Sequence, residues 1–102
     1  MKAVLTLAAL VTAFGAGASL ASTELAIKNA CSACHLPDKK LVGPSYKDIA
    51  AKRRADPGAQ AKALESIRKG STGTWGKDVM PPNVMVKDGD ALSLAKWTLA
   101  HK

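Results

Sequence analysis

Residues 31–35 read Cys31-Ser32-Ala33-Cys34-His35, and the interpretation of the whole chain starts from this pentapeptide. Two thiols three positions apart can each add to one of the two vinyl groups on the edge of a haem, and the adjacent imidazole then faces the iron. The chain has two cysteines in all, and both lie in this motif. The motif therefore predicts one covalently attached c-type haem, held by both thiols and ligated by His35.

Two other uses of the motif explain less of the sequence. A disulfide between Cys31 and Cys34, of the kind found in redox enzymes, would need a strand-helix-strand framework that the sequence pattern lacks. A zinc site would need His35 and His101 as further ligands, but a histidine directly beside Cys34 does not match the usual ligand spacings. Because His101 follows a predicted helix, it is expected to face solvent or the helix dipole.

The first 21 residues have the pattern of an export signal. A positive start at Met1-Lys2 precedes an apolar run from Ala3 to Phe14, and small residues lead to Ser19-Leu20-Ala21. The run is shorter than the ~20 residues needed to span a bilayer, although a retained anchor is the alternative. We predict a signal peptide at residues 1–21 that is cleaved after Ala21, leaving residues 22–102 as one periplasmic domain without stable membrane insertion.

The mature chain is small and basic. The full chain carries a formal charge of +7, and removal of Lys2 with the signal leaves one less, +6. This balance favours acidic protein surfaces, anionic membranes or nucleic acid as partners, and export makes nucleic acid the least expected. Only Tyr46, Trp75 and Trp97 remain as aromatics in a domain of about 80 residues, whose core is marginal at that size. A bound group is therefore expected to fill the interior.

The mature chain predicts an all-α domain, because no run of residues alternates as a strand does. Ser22 or Thr23 can cap a first helix that ends at the cysteine motif, and Asp90 can cap the last one. No helical period occurs between Ser71 and Gly89. The first predicted helix starts at Ser22 or Thr23, and the second runs from Tyr46 to about Arg54 after a Ser45 cap. The third runs from about Ala59 to Lys69 before a closing Gly70, and the fourth follows Asp90.

The order of the motifs resembles the short monohaem class I cytochromes c. The resemblance covers nearly all of residues 22–102 and is greatest for small bacterial members that feed electrons to respiratory and denitrification reductases. It implies a few helices wrapped around one haem, with the first and last helices crossing near its edge. After the pentapeptide, it rests on Val42-Gly43-Pro44-Ser45-Tyr46, Trp75, Val79-Met80-Pro81-Pro82-Asn83 and Leu94-Ala95-Lys96-Trp97.

The resemblance implies that His35 is the proximal iron ligand and Met80 the distal one. A separate physical reason favours Met80, since a residue before proline is held extended and Pro81-Pro82 stiffens the segment that presents the thioether. Met85, five residues on, is the alternative ligand, although a methionine in a loop usually fills gaps in a core. The metal ligands predicted here are His35 and Met80.

Three further cofactor contacts are implied by the resemblance. The Pro44 carbonyl would accept the second ring N–H of His35, the Trp75 indole would bond a haem propionate, and the Asn83 amide would bond the Met80 sulfur. Pro44 could instead be a simple turn residue and Trp75 ordinary core. The chain departs from its relatives at Ser66, where an arginine often lies near the propionates, and at Ala26, where many have a larger side chain against the terminal helix.

Two axial ligands leave iron no open position, so the sequence predicts a one-electron carrier and not an enzyme. Some of the lysines near the ligand loops should ring the exposed haem edge and steer a monomeric protein onto acidic reductases, oxidases or a quinol-oxidising complex, or they are simply a solvated surface. A haem enzyme or gas sensor with a labile Met80 is the alternative function, and a metal-binding module without haem is a third. The lysines are Lys39, Lys40, Lys47 and Lys77.

Overall fold

The structure is a computed structural model that describes the backbone of residues 15–102 and the side chains of residues 22–102. Residues 1–14 of the predicted signal peptide lie outside the described residues. The four-helix, all-α prediction is confirmed, with the addition of a short hairpin. The elements are α1 Gly15–Lys28, a 3-10 helix Cys31–Ala33, α2 Tyr46–Arg53, α3 Ala59–Lys69, β1 Ser71–Gly73, β2 Gly76–Met80 and α4 Asp88–Leu99.

Helix α1 begins earlier than the sequence predicts. It starts at Gly15 and continues through Ala21, so the predicted start at Ser22 or Thr23 is wrong. Alanine and leucine dominate residues 16–21 and are strong helix formers, and a serine caps a helix only where the preceding backbone is not helical. The helix ends at Lys28, whose charge suits a helix C-terminus.

Helices α2 and α3 follow the sequence closely. The Ser45 side chain accepts a hydrogen bond from the Asp48 backbone N–H at 3.0 Å, so Ser45 caps α2 as predicted. Helix α3 has the predicted limits and ends at Gly70, whose φ of 83° is in the region that favours glycine. These two helices place Tyr46 and Ile67 in the interior.

The segment between Ser71 and Gly89, which has no helical period, contains an antiparallel hairpin. Ser71 pairs with Met80 and Gly73 with Gly76. Its strands have three and five residues, too short for a period of two to be visible, and the positive φ angles of Gly73 and Gly76 permit the tight turn between them. The hairpin fixes Met80 at a strand end.

Helix α4 begins at Asp88 after Lys87, so the predicted cap at Asp90 is wrong. Asp88 and Asp90 both lie in the first turn, where negative charge is stabilised by the helix dipole. Asp90 therefore does mark the start of α4, but as a residue of the first turn and not as the N-cap. Within the described part of the chain, no helix has the length and hydropathy needed to cross a bilayer.

The core lies where α1 and α3 pack on α4. Ala26 is fully buried and belongs to one cluster with Ala91, Leu94 and Ala95 of α4 and Ile67 of α3. The small side chain of Ala26 therefore packs against the terminal helix. Half of the eight buried apolar residues in the described part of the chain are alanines, so the polypeptide supplies only a small interior of its own.

Candidate haem site

One turn of backbone presents the thiols and the imidazole together. The 3-10 helix Cys31–Ala33 is followed by hydrogen bonds from the N–H groups of Cys34 and His35 to the Cys31 carbonyl, at 3.1 and 2.9 Å. Ala30 enters this turn with φ 63°, a left-handed conformation that costs a non-glycine residue roughly 1–2 kcal/mol. The chain thus bends sharply between α1 and the motif.

Both thiols are unbonded and half-buried, so no disulfide joins Cys31 to Cys34. Burial raises the pKa of the Cys31 thiol above its ordinary value, and the nearby Cys34 adds to this effect. Cys31 also packs against the buried cluster. A neutral thiol at the edge of an apolar region can take part in thioether formation with a planar apolar group.

The His35 ring is oriented by the loop that follows it. Its Nδ1 lies 2.7 Å from the Pro44 carbonyl oxygen. Because a carbonyl only accepts, Nδ1 carries the proton and donates, and the lone pair of Nε2 is left available for a metal. The contact has the form that the resemblance implied for Pro44.

Gly43 packs against the face of the same ring. A Cβ at this position would lie 2.7 Å from His35 Cε1 and 3.1 Å from Nδ1, closer than side chains approach. The Gly43 N–H also donates to the Cys34 carbonyl at 2.8 Å. In the sequence Gly43 had no role beyond its place in the motif that carries the resemblance, and nothing there indicated that its missing side chain makes room for the imidazole.

Met80 and Met85 have different surroundings. Met80 is half-buried and packs, like Cys31, against the buried cluster. Met85 is 83% exposed. The Met80 carbonyl lies so near Gly70 that a Cβ there would be 2.5 Å from it, and the Asn83 N–H donates to the Ile67 carbonyl at 2.8 Å. The end of α3 therefore holds the segment that presents the Met80 thioether.

Asn83 links the methionine segment to the cysteine motif. Its Nδ2 donates to the Asn29 carbonyl at 2.9 Å, and its Oδ1 accepts from the Met85 N–H at 3.2 Å. Sequence reasoning missed the link to Asn29, because residues 54 positions apart gave no signal of contact. The predicted bond from the Asn83 amide to the Met80 sulfur stays a prediction.

Trp75 lies half-buried at the hairpin turn. The Lys52 ammonium is 5.2 Å from the centre of its ring, in the range of a cation–π interaction. Ser66, at the position where the resemblance led us to expect an arginine, donates its hydroxyl to the Lys62 carbonyl of its own helix at 3.0 Å. A cation near Trp75 therefore comes from α2 in this chain and not from position 66.

An aromatic cluster packs beside the His35 ring. Tyr46 lies 5.6 Å from His35, 4.7 Å from Trp97 and 5.0 Å from His101, measured between ring centroids. Burial raises the pKa of Tyr46 to about 12, and its hydroxyl has no hydrogen-bond partner among the described residues. A groove of about 390 Å³ borders this cluster.

His101 does not join the cysteine motif. Its Nδ1 donates to the Trp97 carbonyl at 2.9 Å, so the imidazole interacts with the C-terminal carbonyls of α4. Among the residues whose side chains the structure describes, no three His, Cys, Asp or Glu groups are placed to hold a metal ion. The zinc alternative therefore has no support here.

The site suits a flat apolar cofactor. Leu41, Val42 and Val79 are large apolar residues that are 49–61% exposed. They lie on the two segments that carry Pro44 and Met80, so a planar ring between these segments would cover them. Two free thiols, a pre-oriented imidazole and a half-buried thioether complete a donor set that fits haem c.

A family model described as cytochrome c matches residues 20–99. Over 101 residues the chain is 46% identical to cytochrome c-551 of Pseudomonas aeruginosa, with 98% of this chain and 96% of the relative covered. Over 87 residues it is 48% identical to cytochrome c-552 of Nitrosomonas europaea, with 85% and 84% covered.

Solved structures agree with these sequence matches. The crystal structure of wild-type Nitrosomonas europaea cytochrome c552 has a TM-score of 0.76 and 49% sequence identity to this chain. The match covers 78% of this chain and 99% of that structure. The sequence and structural comparisons therefore agree on the same family.

Proposed function

Because the chain belongs to the cytochrome c family, an electron-transfer family with covalently bound haem c, we propose that it is a periplasmic one-electron carrier ligated by His35 and Met80. The observation that carries the ligand assignment is the difference between the two methionines. Met80 is half-buried and packs, like Cys31, against the buried cluster, whereas the Met85 side chain is exposed to solvent. When bound, haem supplies the couple between ferrous and ferric iron.

The residues of the chain fix the axial positions. His35 donates its Nδ1–H to Pro44, which orients the ring and raises the basicity of Nε2. Met80 is held between Gly70 and the stiff Pro81-Pro82 segment. With both positions filled, no site remains for a substrate, and two neutral ligands in an apolar pocket favour the ferrous state. We therefore propose a comparatively high reduction potential and no enzymatic activity.

Replacement of each methionine tests the ligand assignment. Met80→Ala should abolish the sulfur-to-iron charge-transfer band of the ferric protein, because the thioether is lost from the iron. Met85→Ala is the matched control and should keep the band, since Met85 is exposed. Loss of the band only in Met85→Ala would exchange the assignments.

The alternative function is distinguished by ligand binding. If Met80 is labile, the ferrous wild-type protein should bind carbon monoxide readily, as a haem enzyme or gas sensor does. We expect slow or negligible binding in the wild type and ready binding in Met80→Ala. Equally rapid carbon monoxide binding by the wild type and Met80→Ala would favour a haem enzyme or gas sensor.

Three side chains would complete the contacts to the cofactor. Pro44 would act through His35, Trp75 would donate its indole N–H to a propionate, and Asn83 would donate to the Met80 sulfur. Lys52 supports the propionate assignment, because a positive charge 5.2 Å from the Trp75 ring centre would attract a carboxylate to this region.

We further propose export through residues 1–21 and docking of a monomer onto acidic redox partners such as reductases, oxidases or a quinol-oxidising complex. Lys39, Lys47 and Lys77 are exposed and have no ion pair among the described residues, whereas Lys40 is paired with Asp78. The three unpaired lysines are therefore the better candidates for steering.

Ionic strength tests this docking proposal. Electron-transfer rates with an acidic partner should fall as salt rises, because screening weakens the attraction between exposed charges. Stopped-flow measurements over a range of salt concentrations would record this. A flat dependence would contradict electrostatic steering.

A further inference from the structure

One ion pair joins the two segments that carry the proposed iron ligands. Lys40 Nζ lies 3.1 Å from Asp78 Oδ2. Lys40 belongs to the loop between His35 and Pro44, and Asp78 belongs to β2. The remaining ion pairs of the described residues lie on α2, α3, α4 and the turn between α2 and α3, away from both ligand segments, and are Arg53–Asp56, Lys62–Asp56 and Arg68–Asp88.

Asp78 shares a strand face with Met80. Along β2, Asp78 and Met80 are half-buried while Lys77 and Val79 are exposed, and this burial pattern places Asp78 and Met80 on one side although the pairing with β1 shifts register between Gly76 and Met80. The Asp78 N–H also donates to the Trp75 carbonyl at 3.2 Å. Because only Val79 separates Asp78 from Met80 in β2, a change in the position of Asp78 is expected to move Met80 through the backbone.

Lys40 is fixed to His35 in a comparable way. The two residues form an isolated antiparallel bridge, so the backbone of Lys40 runs beside that of His35. The same loop continues to Gly43 and Pro44, which contact the imidazole. Each partner of the ion pair is thus attached through backbone to a proposed ligand, one on each side of the site.

We propose that the Lys40–Asp78 ion pair is a strap that holds the Met80 strand against the His35 loop and so limits the departure of Met80 from the iron. Lys40 and Asp78 are positioning residues, since they act through the backbone of their neighbours. This inference rests on the proposed His35 and Met80 ligation. Asp78 is 29% exposed at its side chain and Lys40 is 64% exposed, so the pair is partly screened by water and its effect is modest.

The exchange of Met80 for imidazole in the ferric, haem-loaded protein measures the strap. Binding of imidazole requires Met80 to leave first, and at a pH above the pKa of imidazole the probe is neutral, so charge changes do not attract or repel it. Asp78→Asn and Lys40→Gln should each raise the exchange rate about two- to fivefold, the range that an exposed ion pair permits. In the wild type the rate should rise with salt, and in both variants this dependence should weaken.

Two further variants separate the strap from a general charge effect. Asp38→Asn removes the same charge from an exposed position of the same loop that has no ion pair among the described residues, and it should leave the rate unchanged. The double variant Lys40→Glu with Asp78→Lys restores an ion pair of reversed sign and should return the rate towards that of the wild type. If the effect depended on only one of the two side chains, the double variant would not restore the wild-type rate.

The proposal is overturned if Asp78→Asn and Lys40→Gln exchange Met80 no faster than Asp38→Asn, or if the reversed pair is as fast as the single variants. The proposed ligation has its own readout. Absence of the sulfur-to-iron band in the wild-type ferric protein would reject Met80 as a ligand, whereas a normal band with unchanged exchange rates would reject only the strap.

Discussion

The absence of a side chain at Gly43 determines where the imidazole of His35 can lie. The backbone of Gly43 covers the ring face from one side, and a Cβ there would lie 2.7 Å from Cε1. The ring is also held by its bond to Pro44, so it cannot move away without breaking that contact. Gly43 therefore serves the proposed iron ligand by its size and not by unusual backbone angles.

Gly43→Ala should destabilise the haem-loaded protein by about 1–3 kcal/mol, the usual cost of overpacking at a site that cannot relax. Gly89→Ala is the control, because a Cβ at Gly89 meets nothing within 4 Å and alanine is the better helix former, worth about 0.5–1 kcal/mol of added stability. Denaturant unfolding followed by haem absorbance measures both. Equal stabilities for the two variants would contradict the role of Gly43.

For single residues, the sequence predicted which side chains carry the cofactor chemistry better than it predicted which side chains contact one another. The spacing of Cys31, Cys34 and His35 is a local pattern, so it could be recognised without a fold. The bond from Asn83 to Asn29 depends on two segments far apart in the chain, and residue types alone do not indicate that they meet. The strained Ala30 was equally hidden, since alanine gives no warning of a left-handed conformation.

The junction of α3 with the hairpin controls the position of the methionine segment. Gly70 has φ 83° and ψ 179°, a conformation that is nearly restricted to glycine, and its hydrogen atoms face the Met80 carbonyl and Pro82. Gly73 has a similar φ of 81° but has nothing within 4 Å of its Cβ position. Alanine substitutions at Gly70 and Gly73 can therefore distinguish the effect of backbone strain from the effect of close packing.

Gly70→Ala and Gly73→Ala should both lose about 1–3 kcal/mol through backbone strain. Only Gly70→Ala should also weaken the sulfur-to-iron band, because its Cβ would push the Met80 carbonyl away. Absorption spectra of the two ferric variants at matched protein concentration measure the difference. An equally weakened band in both variants would show that strain alone moves Met80.

Helices with strong local sequence patterns were predicted well, whereas elements without such patterns were not. Helix α3 has an apolar stripe and a closing glycine, and α2 has a serine cap, so their limits followed from sequence. The start of α4 was misplaced because two acidic residues compete for the same interpretation near its first turn. The hairpin was missed because three- and five-residue strands show no measurable alternation.

For the whole molecule, the small interior is the main physical constraint. The larger buried aliphatic side chains, Ile67, Val86 and Leu94, belong to the cluster where helices α1, α3 and α4 meet. On the side of the site, Leu41, Val42 and Val79 remain exposed. A domain of about 80 residues buries too little surface to be stable with its apolar residues divided in this way. The shortage of aromatic residues had already indicated from the sequence that a bound group fills the interior.

Residues 22–102 made without haem attachment should therefore lack a cooperative fold, although their sequence is the same as that of the loaded protein. The apolar faces of the His35 loop and of β2 would have nothing to cover them, and the Lys40–Asp78 pair is too weak to hold the two segments together alone. We expect loss of most helical circular dichroism and of amide-exchange protection at 25 °C, with both regained in the loaded protein. A haem-free chain that unfolds cooperatively in denaturant, with protected amides in α1 and α4, would mean that the helix core suffices and that the cofactor only adds redox chemistry to a finished fold.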